Sequence, residues 1–278
     1  MVVGTIMLLT ILFGGGMIDT FFVGKLDKGV KEYVLDKERQ KEIRADIKST
    51  KKYIKQFNKG RKAQFKEFMP IFESRTATRD DFETFYTELH NDRVEFQNEV
   101  IEARLALIQK IQEDEWTSII EFSEATIDKR EEKQQKKIDK KNAKTTRKTN
   151  ESTEKAQKKA DKEQKKQPFF KTRQAIIEAV ADGERQEILI SSLDDMMIAS
   201  QKLDRELRSI NVKENDVIVR FDATQEEMKQ IAEEVNKLRR SSFEKLIQIH
   251  MIIKENTDES QWDTILKALN KDLDIAIR

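Results

Sequence analysis

The chain contains no cysteine, which excludes disulfides, zinc–thiolate centres and acylation of an N-terminal cysteine. Two prolines and eight glycines are all that punctuate 278 residues, far from the profile of an α/β enzyme. No segment shows the period-2 alternation of a strand. No glycine-rich phosphate loop, H-E-x-x-H pair or nucleophile elbow occurs. Enzymatic activity, a cofactor and a small-molecule substrate are therefore not expected. What is abundant is charge: 38% of the residues are Asp, Glu, Lys or Arg, with a net of +1. That is the composition of long solvated helices.

The dominant feature is an internal repeat. Glu32-Tyr33-Val34-Leu35-Asp36-Lys37-Glu38-Arg39-Gln40 returns as Glu178-Ala179-Val180-Ala181-Asp182-Gly183-Glu184-Arg185-Gln186, 146 positions on. The same offset maps Ala77-Thr78 to Ala223-Thr224, Arg93 to Arg239, and Trp116 to Trp262, the only two tryptophans. A fixed internal period points to a duplicated folding unit.

Within the first unit, Ile43, Ile47, Thr50, Ile54 and Phe57 follow a 4-3-4-3 spacing, one apolar stripe of a helix. Pro70 is expected to stop that helix. Thr78-Arg79-Asp80-Asp81 reads as a capping box opening a second helix, whose stripe runs from Phe82 to Leu107. A third, short helix begins near Trp116. The second unit repeats this plan from Leu189, with Thr224-Gln225-Glu226-Glu227 as its capping box and Trp262 in its third helix. Two striped helices and a short connection make an antiparallel hairpin. The repeated Asp36, Glu38 and Arg39, and Asp182, Glu184 and Arg185, suit helix starts. Arg93 and Arg239 are candidate partners for those acids across each hairpin.

Val2 to Ile18 is a run without charge, long enough when continued to Gly24 to cross a bilayer. It has no basic residues before it and no small-x-small cleavage site, so an uncleaved anchor is expected rather than a cleaved signal. Lysines 25, 28, 31, 37 and 41 and Arg39 follow it, which taken literally would place the rest in the cytoplasm. Residues 128–168 carry sixteen basic against eight acidic residues and almost no apolar ones, a charged linker. With acids interspersed and no aromatic for stacking, nucleic-acid binding by this arm is not expected. The histidines, His90 and His250, are not repeat-equivalent. His250, Met251 and Glu255 are the one chemically possible divalent-metal set.

The worn motifs Ala77-Thr78-Arg79-Asp80-Asp81 and Ala223-Thr224-Gln225-Glu226-Glu227, together with Thr257-Asp258-Glu259-Ser260-Gln261-Trp262, resemble the L-T-x-x-Q motifs of the Spy/CpxP and heavy-metal-resistor group of bacterial envelope helical-hairpin proteins. That resemblance implies an extracytoplasmic, periplasmic location and either a chaperone-like surface or metal sensing. The expected fold is all-α: an N-terminal membrane helix (residues 1–24), a three-helix hairpin repeat (25–127), a charged linker (128–168) and a second repeat (169–278). The expected function is a membrane-anchored protein-binding module, possessing a protein partner or self-associating. The alternatives are an intermolecular coiled-coil scaffold and divalent-metal binding.

Overall fold

In the computed structural model, residues 26–123 and 169–277 are described, with side chains as far as residue 272. Their regular structure is entirely helical. The elements are α1 (Leu26–Tyr33), α2 (Lys37–Glu73), α3 (Arg79–Ile108), α4 (113–123), α5 (Phe170–Ala179), α6 (Gly183–Val219), α7 (Gln225–Glu255) and α8 (Glu259–Ile277).

The chain caps these helices as its local sequence dictates. Asp36 accepts a hydrogen bond from the Arg39 backbone N–H at 3.0 Å, and Asp182 accepts from those of Glu184 and Arg185. Thr78 with Asp81, and Thr224 with Glu227, form complete capping boxes. Pro70 does not end α2, which continues to Glu73. A proline in the last turn forfeits one backbone bond, and Ser74 N–H closes the end on the Pro70 and Ile71 carbonyls.

Among the described residues each unit has four helices rather than three. The additional α1 and α5 are short and fold back onto their hairpins. Gln40 explains how: its amide donates to the Lys31 and Val34 carbonyls at the end of α1, at 3.0 and 2.8 Å. Gln186 does the same to Ile177 and Val180 at the end of α5. Gly29 lets α1 approach closely, because a Cβ there would stand 3.0 Å from Ile119 of α4.

The expectation of a single-pass membrane protein, periplasmic beyond residues 2–24, is corrected. Among the described residues no helix is long and apolar enough to cross a membrane. The long ones, α2 and α6 at 37 residues each, bury one stripe and carry charge around the remainder. Residues 1–25 lie outside the described residues, as does the whole of the charged stretch 128–168.

The two hairpins do not close on themselves alone. They lie antiparallel and interlock. Along α3 and α7, Arg79 meets Glu244, Glu83 meets Arg240, Gln97 meets Asn236, and Arg104 reaches the Ala223 carbonyl. One runs forward as the other runs back. The hairpin tip of each unit therefore enters the base of the other. One core joins Phe68, Phe72, Phe82 and Phe85 of the first unit to Leu189, Leu193, Phe243 and Trp262 of the second. The other joins Val30, Ile47, Val100 and Trp116 to Ile218 and Met228. Between them lies a polar waist where Arg93, Arg239, Asn236 and Glu214 are buried.

Candidate functional site

Two kinds of site emerge from this arrangement: a latch at each end, and a groove at the waist. In one latch, Trp116 Nε1 donates to the Val219 carbonyl at 2.6 Å; in the other, Trp262 Nε1 donates to the Glu73 carbonyl at 3.2 Å. Donors and acceptors alike are 146 positions apart, so the exchange is reciprocal. Both tryptophans are 2% exposed.

Beside Trp116, the Arg104 guanidinium donates to the carbonyls of Ile218, Arg220 and Ala223, and stands 5.7 Å from the Trp116 ring. These carbonyls end α6 and its turn, where helical partners run out. Burial pushes the Arg104 pKa down to about 10, with the nearby Arg220 charge acting the same way. It remains charged at neutral pH. At the equivalent point of the other latch stands His250. Its Nδ1 is 3.0 Å from the Phe72 carbonyl, an acceptor only, so Nδ1 carries the proton. Nε2 is buried with no hydrogen-bond partner among the described residues. It sits among the Phe82, Trp262 and Phe72 rings, at centroid distances of 4.8, 5.0 and 5.7 Å. Burial pushes the imidazole pKa down to about 4, opposed by the Phe72 hydrogen bond and assisted by the Lys254 charge. Lys254 and Arg75 complete this latch on the Ala77 and Thr257 carbonyls, both within 2.8 Å.

At the waist, the outer surface between α3 and α7 opens into a cleft of about 580 Å³. Its α3 wall includes Tyr86, His90, Val94 and Asn98; its α7 wall includes Lys229, Glu233, Asn236 and Lys237. Tyr86 and His90 are stacked at 5.9 Å, with the Arg240 guanidinium 4.9 Å from the Tyr86 ring. Arg240 is held bidentately by Glu83, at 2.6 and 2.7 Å. That pairing holds the Glu83 carboxyl below its ordinary range, and burial raises the Tyr86 hydroxyl. Asn236 donates to Gln97 at 2.8 Å and accepts from Arg239 at 2.9 Å, so the cleft floor is a fixed amide ladder.

The repeat-signature residues divide between these places. Asp36 and Asp182 are helix caps, and Glu38 and Glu184 are exposed acids in the first turns of α2 and α6, where the helix dipole favours them. Arg39 pairs with Glu115 of α4 at 2.5 Å, and Arg185 stays near Asp182 at 3.9 Å. Arg93 does not pair with Glu38. It lies over the Phe57 ring at 5.3 Å, roughly 30 Å along the hairpin from Glu38, because about twenty residues of helix intervene. Arg239 is likewise at the waist, against Asn236.

The candidate metal set is not assembled. His250 is enclosed by rings, Met251 is half-buried and Glu255 is exposed. Among the described residues no group of three or more His, Asp or Glu is placed to hold an ion. The motif-like threonines Thr78 and Thr224 serve as caps, and Gln261 both closes the start of α8 with Asp258 and reaches the Ala179 carbonyl. Arg104 and Asp272 escaped sequence reading. Asp272, 2% exposed, accepts from the Thr172 backbone N–H and hydroxyl at 2.9 and 2.8 Å. In the sequence, the hint was an acid three residues after Leu269, on the apolar side of an amphipathic helix. Comparison of the chain with family models, with curated proteins and with solved structures gave no match.

Proposed function

We propose that the chain is a non-enzymatic helical protein-binding module, built as an intramolecular pair of interlocked hairpins. The observation that carries this reading is the reciprocal latch. Trp116 and Trp262, with Arg104 and His250, commit the apolar stripes of both units to each other. Stripes used inside one chain are not available for an intermolecular coiled coil. The large apolar residues left outside are Tyr33, Leu35 and Ile177 near the short helices and Ile188, Ile198 and Val212 on α6, the last three ten or more residues apart, without the three- or four-residue spacing of a seam. Among the open features of the described residues, the waist groove has an aromatic, amide and lysine lining that suits a polypeptide.

The scaffold alternative makes an opposite demand on solution behaviour. Sedimentation velocity of the full chain should give a monomer whose mass does not change over a hundredfold range of concentration. A strongly elongated obligate dimer would instead support the coiled-coil scaffold.

A further inference from the structure

The duplication kept the latching tryptophans and the waist arginines Arg93 and Arg239, but not the outer face of the waist. Under the 146-residue offset, Glu83, Asn91 and Val94 of α3 correspond to Lys229, Lys237 and Arg240 of α7. Caps, hooking glutamines and latching tryptophans are matched between the copies, whereas these three positions became basic in one copy alone. The structure accounts for Arg240, which pairs with Glu83 and Glu244, but packing does not require the change at Lys237. Lys237 is exposed, and Asn91 at the equivalent site is exposed too.

Arg240 is occupied by Glu83 and Glu244. The charge offered to the groove is thus that of Lys229 and Lys237, eight residues apart on one face of α7, with Glu233 midway between them. Eight helical residues separate the two ammonium groups by about 12 Å along the axis. The groove itself runs from Tyr86 to Ile101 on α3 and from Lys229 to Arg240 on α7. That corresponds to a trough roughly 16–22 Å long, the length of a three- to four-turn helix rather than of a compact metabolite. Its accessible apolar surface is narrow, with half-buried Val94 and the His90 ring beside the amides and with Ile101 and Ala232 buried beneath, so it can accept a narrow stripe bordered by polar groups.

We propose that the α3–α7 groove binds an acidic amphipathic helix of a partner protein, its apolar stripe on Val94, the His90 ring and the aliphatic stem of Lys229, and its carboxylates on Lys229 and Lys237. This deepens the protein-binding reading and rests on it. Glu233 acts as the discriminating residue. It repels a carboxylate seated between the lysines, so acids of the guest belong at positions about two turns apart.

The test is fluorescence anisotropy of the full chain with a labelled amphipathic peptide of about four turns whose leucine stripe is bordered by glutamates. A matched peptide with lysines replaces it in a second titration. The glutamate peptide should bind, weaken as salt is raised, and lose about tenfold or more in affinity to K229E/K237E. E233Q should bind it more tightly than the parent chain, a gain that a folding defect cannot imitate. Equal binding of the lysine peptide, indifference to both variants, or absence of binding would overturn the proposal. Displacement of the peptide by inorganic phosphate at matched ionic strength would also overturn it, by marking a small-anion site. If the peptide fails while the chain sediments as a monomer, the groove assignment falls and the broader binding reading stands.

Discussion

At the residue scale, the two latches show one architectural position solved with different chemistry. Arg104 satisfies several helix-end carbonyls at once and keeps its charge; His250 satisfies one and gives its charge up. The consequence is a pH dependence whose sign is determined. An unfolded histidine takes a proton near pH 6.5, whereas His250 in the folded chain resists until about 4. Between those values the unfolded state binds more protons, so stability falls as the pH is lowered from 6.5 to 4. The loss over that window is about 3 kcal/mol at most. Below pH 4 this contribution has gone and does not change further. Urea melts at pH 7.0 and pH 4.5 should separate for the parent chain and come closer together for H250Q, which retains a donor for the Phe72 carbonyl without a titrating ring. An unchanged pH dependence in H250Q would show that other groups govern it. No pattern in the sequence marked Arg104, because its role depends on carbonyls more than a hundred residues away.

At the element scale, the repeated Glu-x-Val-x-Asp-x-Glu-Arg-Gln signature resolves into local jobs. The Asp caps the long helix, the Val is buried, and the Gln ties the preceding short helix to it. Helices α1 and α5 have only eight and ten residues, too short to persist in water without tertiary support. Replacing Gln40 by Leu removes the donor to the Lys31 carbonyl of α1 and to the Val34 carbonyl just after it, the latter a buried bond, and should cost about 1–2 kcal/mol. Amide hydrogen exchange should speed up first in residues 26–33 while α6 and α7 stay protected. Uniform loss of protection across the chain would mean that α1 is not a separable element. The long helices were legible beforehand because their stripes and caps are statements about residues three or four apart. The short helices were not, since their stability comes from docking, which Gln40 and Gly29 reveal only once the chain has folded back.

At the scale of the whole molecule, antiparallel interlocking puts the end of the first unit and the start of the second at opposite ends. Phe122 lies against Tyr33 at one base, and Phe169 is buried in the core of the other. A helix of 37 residues measures about 55 Å, which sets the scale of the gap. The segment 124–168 has ample covalent reach, about 150 Å fully extended. Shortened to about ten residues it would reach roughly 35 Å and could not join the two bases. The same latches can form between chains, so the expected product of that deletion is an exchanged dimer with both tryptophans still buried. Light scattering after size exclusion, together with tryptophan emission, reads both properties. A monomer with buried tryptophans would show that the units need no such span.

The amino-acid sequence by itself determined that this chain is helical and duplicated, and where its long helices begin. Periodicity and capping act within a few residues and survive in any arrangement of the elements. Only the tertiary structure decided what each apolar stripe faces. Burial rewards area without direction, so a stripe that could close on its own hairpin could equally receive the tip of another. The directional contacts that fit this arrangement, to helix-end carbonyls without helical partners, exist only after the helices have formed.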